Sequence, residues 1–187
     1  MKIIQTNLPD VLLLEPRVFG DERGFFMESW NRDAFKGLGL DVEFVQDNHS
    51  RSAKGVLRGL HYQLGRPQAK LVRATRGRVF DVVVDLRRGS SSFGRWVGAD
   101  LSEDNRRMLF APAGFGHGFL VLSEIAEFQY KCSDFYAPDE ERGIRWDDPS
   151  IAIDWPLGDL DPVLSDRDLA WPHLENVSDN DLPRTRS

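Results

Sequence analysis

The chain has 187 residues, with 24 Lys and Arg against 30 Asp and Glu for a net charge of -6; that acidic balance excludes a general binder of the nucleic-acid backbone, which needs a surplus of cations. Apolar residues at 41% and aromatics at 11% exclude a disordered chain and suit one well-filled core, so residues 1–187 are read as a single domain. The one cysteine, Cys132, excludes a disulfide framework within the chain and a multi-cysteine zinc site, and is expected to be a small buried residue.

The N-terminal stretch "MKIIQTNLPDVLLLEP" has a short apolar run at 11–14 that Glu15 and Pro16 cut off. It is too short for a membrane span or a signal peptide, and no later run reaches the required length, so no membrane partner and a cytoplasmic location are expected. From there, short β-branched and aromatic runs separated by Gly, Pro, Asp and Asn predict strands at 3–6, 11–15, 25–30, 44–49, 56–63, 70–76, 78–86, 93–101, 107–110, 118–122 and 126–132. Turn chemistry lies between them at "GDERG" (20–24), "RRGSSS" (87–92) and "SEDN" (102–105). So many short strands predict a mainly β sandwich or barrel. A helix is expected at 32–38, capped by Asn31 or Asp33 and ended by Gly37 and Gly39. A second begins near Ser165, after the Pro- and Asp-rich "DDPSIAIDWPLGDLDP", which reads as irregular chain wrapped on the barrel. The polar end, about 175–187, is expected to be mobile.

Within "KGVLRGLHYQ" (54–63), two cations and a histidine sit among residues bound for a core. A buried cation is costly unless a structural partner or a substrate pairs with it. Arg58 and His61 are three apart, so strict strand alternation puts them on opposite faces. Bringing both to one ligand requires a bulge or bend near Gly59, where glycine is the expected residue.

In "RMLFAPAGFGHGFLVL" (107–122) two apolar runs flank a Pro-x-Gly turn, and His117 follows three residues after Gly114. This resembles the second motif of the cupin barrel, a double-stranded β-helix or jelly roll. Many cupins bind a metal through His-x-His, a glutamate and the later histidine. Here the first motif reads His61, Tyr62, Gln63, so that ligand set is incomplete. His49, His61 and His117 leave a three-histidine zinc arrangement open; a structural or hydrogen-bonding role is the expectation for His49.

Further along, "FGDERGFFMESW" (19–30), "FVQDNHSRSAKGVLRGLHYQ" (44–63), "QAKLVRATRGRVFDVVVDLRRGSSSFGRW" (68–96), "LFAPAGFGHGF" (109–119), "YKCSDFYAPDEERGIRWDDP" (130–149) and "IDWPLGDLDPVLSDRD" (153–168) occur in this order. Together they resemble the dTDP-4-dehydrorhamnose 3,5-epimerase family, metal-independent cupin-like enzymes of dTDP-rhamnose synthesis, over about residues 3–170. The resemblance implies a dTDP-linked 4-keto-6-deoxy sugar as substrate and inversion at carbons 3 and 5, with no cofactor and no metal. It also implies a homodimer in which an N-terminal strand and nearby residues cross to the partner.

By this resemblance His61 is the base, a role that suits an imidazole whose ordinary pKa lies near working pH. Asp168 holds its second nitrogen, with Asp166 as the alternative, and Ser165-x-x-Asp168 also spells a helix capping box. Lys70 stands near the keto oxygen, and Tyr130 is the acid on the far face. Arg23 and Arg58 fit the diphosphate. Tyr136 is the thymine-stacking aromatic, and Glu28, Gln46, Asn48, His117 and Glu141 line the site. Arg167 stands where the family commonly has lysine. Phe19 and Phe26 are either apolar walls of the base pocket or core residues. A single-carbon epimerase or ketoisomerase on the same scaffold, a metal-binding cupin and a non-catalytic sugar-nucleotide module remain alternatives.

Overall fold

The computed structural model describes residues 1–185. Strands dominate. One antiparallel sheet runs β1-β2-β10-β7-β12-β5 and contains β1 (Lys2–Gln5), β2 (Leu12–Glu15), β5 (Gln46–Ala53), β7 (Lys70–Arg76), β10 (Met108–Ala111) and β12 (Ile125–Cys132). The other runs β13-β6-β11-β8-β9 and contains β6 (Leu57–Gln63), β8 (Arg78–Asp85), β9 (Trp96–Ser102), β11 (Phe115–Val121) and β13 (Glu141–Gly143). Packed face to face, the two sheets form the expected jelly-roll barrel. The remaining strands, β3 (Val18–Asp21) and β4 (Gly24–Met27), form a separate hairpin.

Alternation along the strands decides what each face buries. Val79 and Val83 of β8, Phe115 and Phe119 of β11, Val72 and Ala74 of β7, and Ala126 and Phe128 of β12 point between the sheets and fill the barrel. Val82 and Val84 of β8 point the other way, into a second apolar layer with Ile151, Trp155 and Leu182. The five-stranded sheet is thus buried on both faces, which explains the near-continuous valines of "VFDVVVD". Leu14, Leu71, Met108 and Phe110 on the outer face of the six-stranded sheet are covered by Phe35 and Leu40.

The strand at 44–49 instead starts at Gln46 and continues to Ala53, because its inward residues are polar and give no hydrophobic alternation to read. The strand at 93–101 starts only at Trp96, since Ser90 and Ser92 donate to Asp85 at 2.6 Å and hold the preceding residues in a turn. Two short strands, β3 and β13, lie outside the expected set. Helix α1 (Arg32–Gly37) is capped by Asn31, whose side chain accepts from the Ala34 N–H at 3.1 Å. Helix α2 (Asp166–Ala170) is capped by Ser165.

The polar C-terminal segment departs from expectation over its described part. Leu182 and Pro183 are buried, the Tyr62 hydroxyl donates to the Asp181 carbonyl at 2.7 Å, and the Arg88 N–H donates to the Pro183 carbonyl. Two apolar residues and a few backbone bonds dock a stretch whose composition reads as solvated. The last two residues of the expected tail lie outside the described residues.

The β6–β11 pair carries the irregularity that Arg58 and His61 require. His117 faces His61 and Phe119 faces Arg58, a shift of one residue in register. Gly59 is the extra residue, at φ +129°. A Cβ on it would lie 2.5 Å from the Gly118 Cα, and one on Gly118 would lie 2.7 Å from the Arg58 carbonyl oxygen. Replacing Gly59 by alanine is therefore expected to destabilise the fold by at least ~2 kcal/mol. A urea titration checks this; an unchanged midpoint means the two backbones can separate.

Candidate active site

Where the apolar filling of the barrel stops, the inward rows continue as polar side chains around a cavity of about 320 Å³. The six-stranded sheet contributes Gln46 and Asn48 of β5, Lys70 of β7, and Tyr130 and Cys132 of β12. Opposite them, the five-stranded sheet contributes Arg58, His61 and Gln63 of β6 and His117 of β11. The bulge at Gly59 is what puts Arg58 and His61 on the same wall. Tyr136, Glu141 and Arg167 close the rim.

His61 is held from behind. Its Nε2 lies 2.5 Å from Asp168 Oδ1, so the carboxylate accepts the Nε2–H and leaves Nδ1 unprotonated in the neutral ring. Asp168 is buried at 3% exposure. The Ser165 hydroxyl donates to its other oxygen at 2.7 Å, and its own N–H donates back to Ser165 Oγ. Burial pushes the Asp168 carboxyl up, but hydrogen bonds from His61, Ser165 and the Gly59 N–H outweigh it and hold the group below the usual carboxylate range. Capping box and imidazole partner are one and the same residue. Asp166, the alternative, makes neither contact among the side-chain hydrogen bonds of the described residues.

A second histidine–carboxylate pair lies deeper. His117 Nε2 is 2.9 Å from Asp81 Oδ2, and Asp81 is fully buried. Burial raises the Asp81 carboxyl, opposed by His117 and Lys70. Asp81 was not among the expected site residues. The legible signal was a single acid interrupting the apolar "VFDVVVD" at an inward position. Nearby, burial lowers the Lys70 ammonium below the ordinary lysine value, against the pull of Cys132, Glu141 and Asp81. Burial also raises the Tyr130 phenol, so it stays protonated well past neutral pH.

At the rim, Glu141 accepts from the Tyr136 hydroxyl at 2.9 Å and from Arg167 at 2.5 Å. The Tyr136 N–H donates to Gln46 Oε1 at 2.9 Å, and Gln46 donates to Asn48. The Arg58 guanidinium donates to the Ser52 hydroxyl at 3.1 Å and has no carboxylate partner among the described residues. Two expected residues lie elsewhere in this chain: Arg23, paired with Asp21, and Glu28, bonded to Asn31, are both exposed and do not line the cavity. Phe19 and Phe26 share the exposed hairpin at 50% and 71% exposure, so neither is a core residue of the single chain. His49 points outward, 3.2 Å from Glu127, which separates it from His61 and His117 inside the barrel and undoes the three-histidine arrangement. Among the described residues no group of three or more His, Cys, Asp or Glu is placed to hold a metal, and no helix is long and apolar enough to cross a membrane.

The model of the dTDP-4-dehydrorhamnose 3,5-epimerase family matches residues 5–176. A dTDP-4-dehydrorhamnose 3,5-epimerase of Pseudomonas aeruginosa is 63% identical over 169 residues, 90% of this chain and 93% of that protein. The crystal structure of a dTDP-6-deoxy-D-glucose-3,5-epimerase from Legionella pneumophila, in complex with dTDP-4-keto-L-rhamnose, is 50% identical with a TM-score of 0.96 over 100% of this chain and 99% of that one. A 3′-monoepimerase from Streptomyces bikiniensis, in complex with dTDP-quinovose, has the same fold at 36% identity, with a TM-score of 0.90 over 96% and 92% of the two chains. A cavity walled on one sheet by an imidazole that a helix-borne carboxylate holds, and on the other by a phenol with an ammonium, in a chain matched over nearly its whole length, leads to one assignment: the chain belongs to the dTDP-4-dehydrorhamnose 3,5-epimerase family.

Proposed function

We propose that the chain is an isomerase that inverts carbons 3 and 5 of dTDP-4-dehydro-6-deoxy-D-glucose to give dTDP-4-dehydro-L-rhamnose, with residues 1–187 acting as one cupin-like domain in the cytoplasm. The observation that carries this reading is the placement of His61 and Tyr130 on opposing sheets of one cavity, with Lys70 lining the same space.

Both carbons flank the C4 ketone, so a proton leaving either one sends its electron pair onto the keto oxygen as an enolate. His61 takes the proton at Nδ1, and the resulting imidazolium keeps its Nε2–H on Asp168, a positioning residue that stabilises the charge. The Lys70 ammonium faces the developing oxyanion in a site partly shut off from water, where a fixed charge is worth most. Tyr130 then delivers a proton to the opposite face of the ring carbon; the enolate collapses to the ketone and the centre is inverted. No electrons are transferred, so the step needs no redox group. Arg58, without a carboxylate partner among the described residues, suits the diphosphate, and the half-exposed Tyr136 ring, clamped by Glu141, suits stacking on thymine.

The exposed hairpin supports a homodimer. Phe19, Phe25 and Phe26 are large apolar side chains open to solvent beside Arg23, an arrangement more stable when a partner covers it. In this reading Arg23 and Glu28 complete the cavity of a second copy. Single-carbon epimerisation is the second reading, since a monoepimerase shares the fold at 36% identity.

Turnover in heavy water separates the two readings: deuterium at carbons 3 and 5 of the product is expected, and label at one carbon alone sinks the double reaction. His61→Asn is expected to abolish exchange at both carbons while dTDP still binds, a loss of about 10² to 10⁴. Tyr130→Phe should slow completed inversion more than proton removal. On the alkaline side, the group that titrates first should be Lys70, whose pKa is lowered, and not Tyr130, whose pKa is raised. Activity, which needs Lys70 charged, is therefore lost as pH rises through that depressed value, and Lys70→Arg should move the limb upward. Finally, mixing inactive His61→Asn with impaired Arg23→Ala protein should restore activity through mixed dimers, whereas subunits with self-contained sites give no recovery.

A further inference from the structure

Behind His61, on the side away from the cavity, sits an aromatic ring with no role in the reaction described above. Trp171 is the residue at which α2 ends, three positions after Asp168. Its ring centroid is 6.2 Å from that of His61, with the planes tilted by 65°, yet it does not line the cavity. The ring rests on Gly143 of β13, the residue directly across the ladder from His61. A Cβ at Gly143 would lie 2.5 Å from two atoms of the indole and 2.6 Å from its Nε1. That glycine is extended backbone with no positive φ, so the indole, and not the local turn geometry, is what excludes a side chain there. On the far side the chain is pinned by the Arg145 N–H, which donates to the Pro172 carbonyl at 2.9 Å.

We propose that Trp171 is a positioning residue for the base: seated on Gly143, the indole backs the His61 ring and shields its hydrogen bond to Asp168 from water. The inference rests on His61 being the base. Three elements meet at this ring. β6 supplies the imidazole, α2 supplies the carboxylate, and the indole wedges between α2 and β13 so that neither group can swing. A ring free to rotate about its side-chain bonds would spend part of its time with Nε2 off Asp168 and Nδ1 off the substrate, and a small misplacement of a reacting group is enough to slow a proton transfer severalfold or more. The indole Nε1 is buried and finds no hydrogen-bond partner among the described residues, so shape is what the position uses. Phenylalanine, which keeps a flat ring, should substitute for it better than alanine.

The test combines a spectroscopic and a kinetic readout on the full-length protein. In proton NMR the His61 Nε2–H, bonded to Asp168, is expected to exchange slowly with water in the wild type and in Trp171→Phe, and at least about tenfold faster in Trp171→Ala. For the same alanine variant kcat should fall by about tenfold with KM for the dTDP-sugar nearly unchanged, because Trp171 itself does not line the cavity. Gly143→Ala, which keeps the indole but pushes it off its seat, should shift both readouts the same way. Combined with Trp171→Ala it should add little. The proposal is overturned if Trp171→Ala or Gly143→Ala, folded with an unchanged melting temperature, keeps both the slow exchange and wild-type kcat. It is equally overturned if Trp171→Phe loses as much as Trp171→Ala. A slow Nε2–H that responds to Trp171 as described, in a wild-type protein that does not turn over the sugar nucleotide, would uphold the positioning and defeat the assignment of His61 as base.

Discussion

At Gly59 and Gly118 the backbones of β6 and β11 approach so closely that neither position has room for a Cβ. The contact absorbs one extra residue, and with it the inward row of β6 changes parity. Without the shift, a guanidinium three residues from an imidazole would point into the apolar layer shared by Leu57, Leu60 and Trp155, where an unpaired cation is costly. With it, Leu57 and Leu60 face that layer, while Arg58 and His61 face the cavity. Fold and site therefore meet in one backbone irregularity, and the polar content of β6 becomes compatible with a strand in the middle of a buried sheet.

The buried carboxylates inside the barrel are tolerated because each has a dedicated partner. Asp168 has His61 and Ser165, and Asp81 has His117, whereas the Lys70 ammonium is held by no ion pair among the described residues and feels Glu141 and Asp81 through space. Removing one member would leave another buried and unsatisfied, typically a loss of about 3 to 5 kcal/mol for a charge. The network thus holds side chains in fixed positions, and this preorganisation is what an enolate chemistry requires. At the rim, by contrast, Glu141 and Arg167 meet near solvent, so that pair contributes little to stability and mainly orients Tyr136 and the guanidinium.

Much of this was legible in the chain itself. The strands from β6 to β12 follow from hydrophobic runs and turn residues, and both caps, Asn31 and Ser165, from side chains that accept backbone N–H groups. The need for a bend at Gly59 followed from the spacing of Arg58 and His61. What was not legible has a common cause: long-range partnership. β3 looks like loop because its apolar residues cover nothing in the single chain, and β5 hides behind polar inward residues. Asp81 stands out only as an acid within an apolar strand until β11 is placed beside β8 and brings His117 to it. The docked C-terminal segment reads as solvated because only two of its described residues, Leu182 and Pro183, are buried. At the rim, the Arg167 guanidinium reaches Glu141 in a position where an ammonium would offer a single point of charge.

His61 and Asp168 are separated by 107 positions in the sequence. Every strand of both sheets is complete by Gly143, whereas the carboxylate follows on a helix reached only after the long irregular wrap. Along the chain, every strand of the barrel thus precedes the group that orients its imidazole. Architecture and competence are written in separate stretches of polypeptide: the vessel comes first, and the closing stretch arms it.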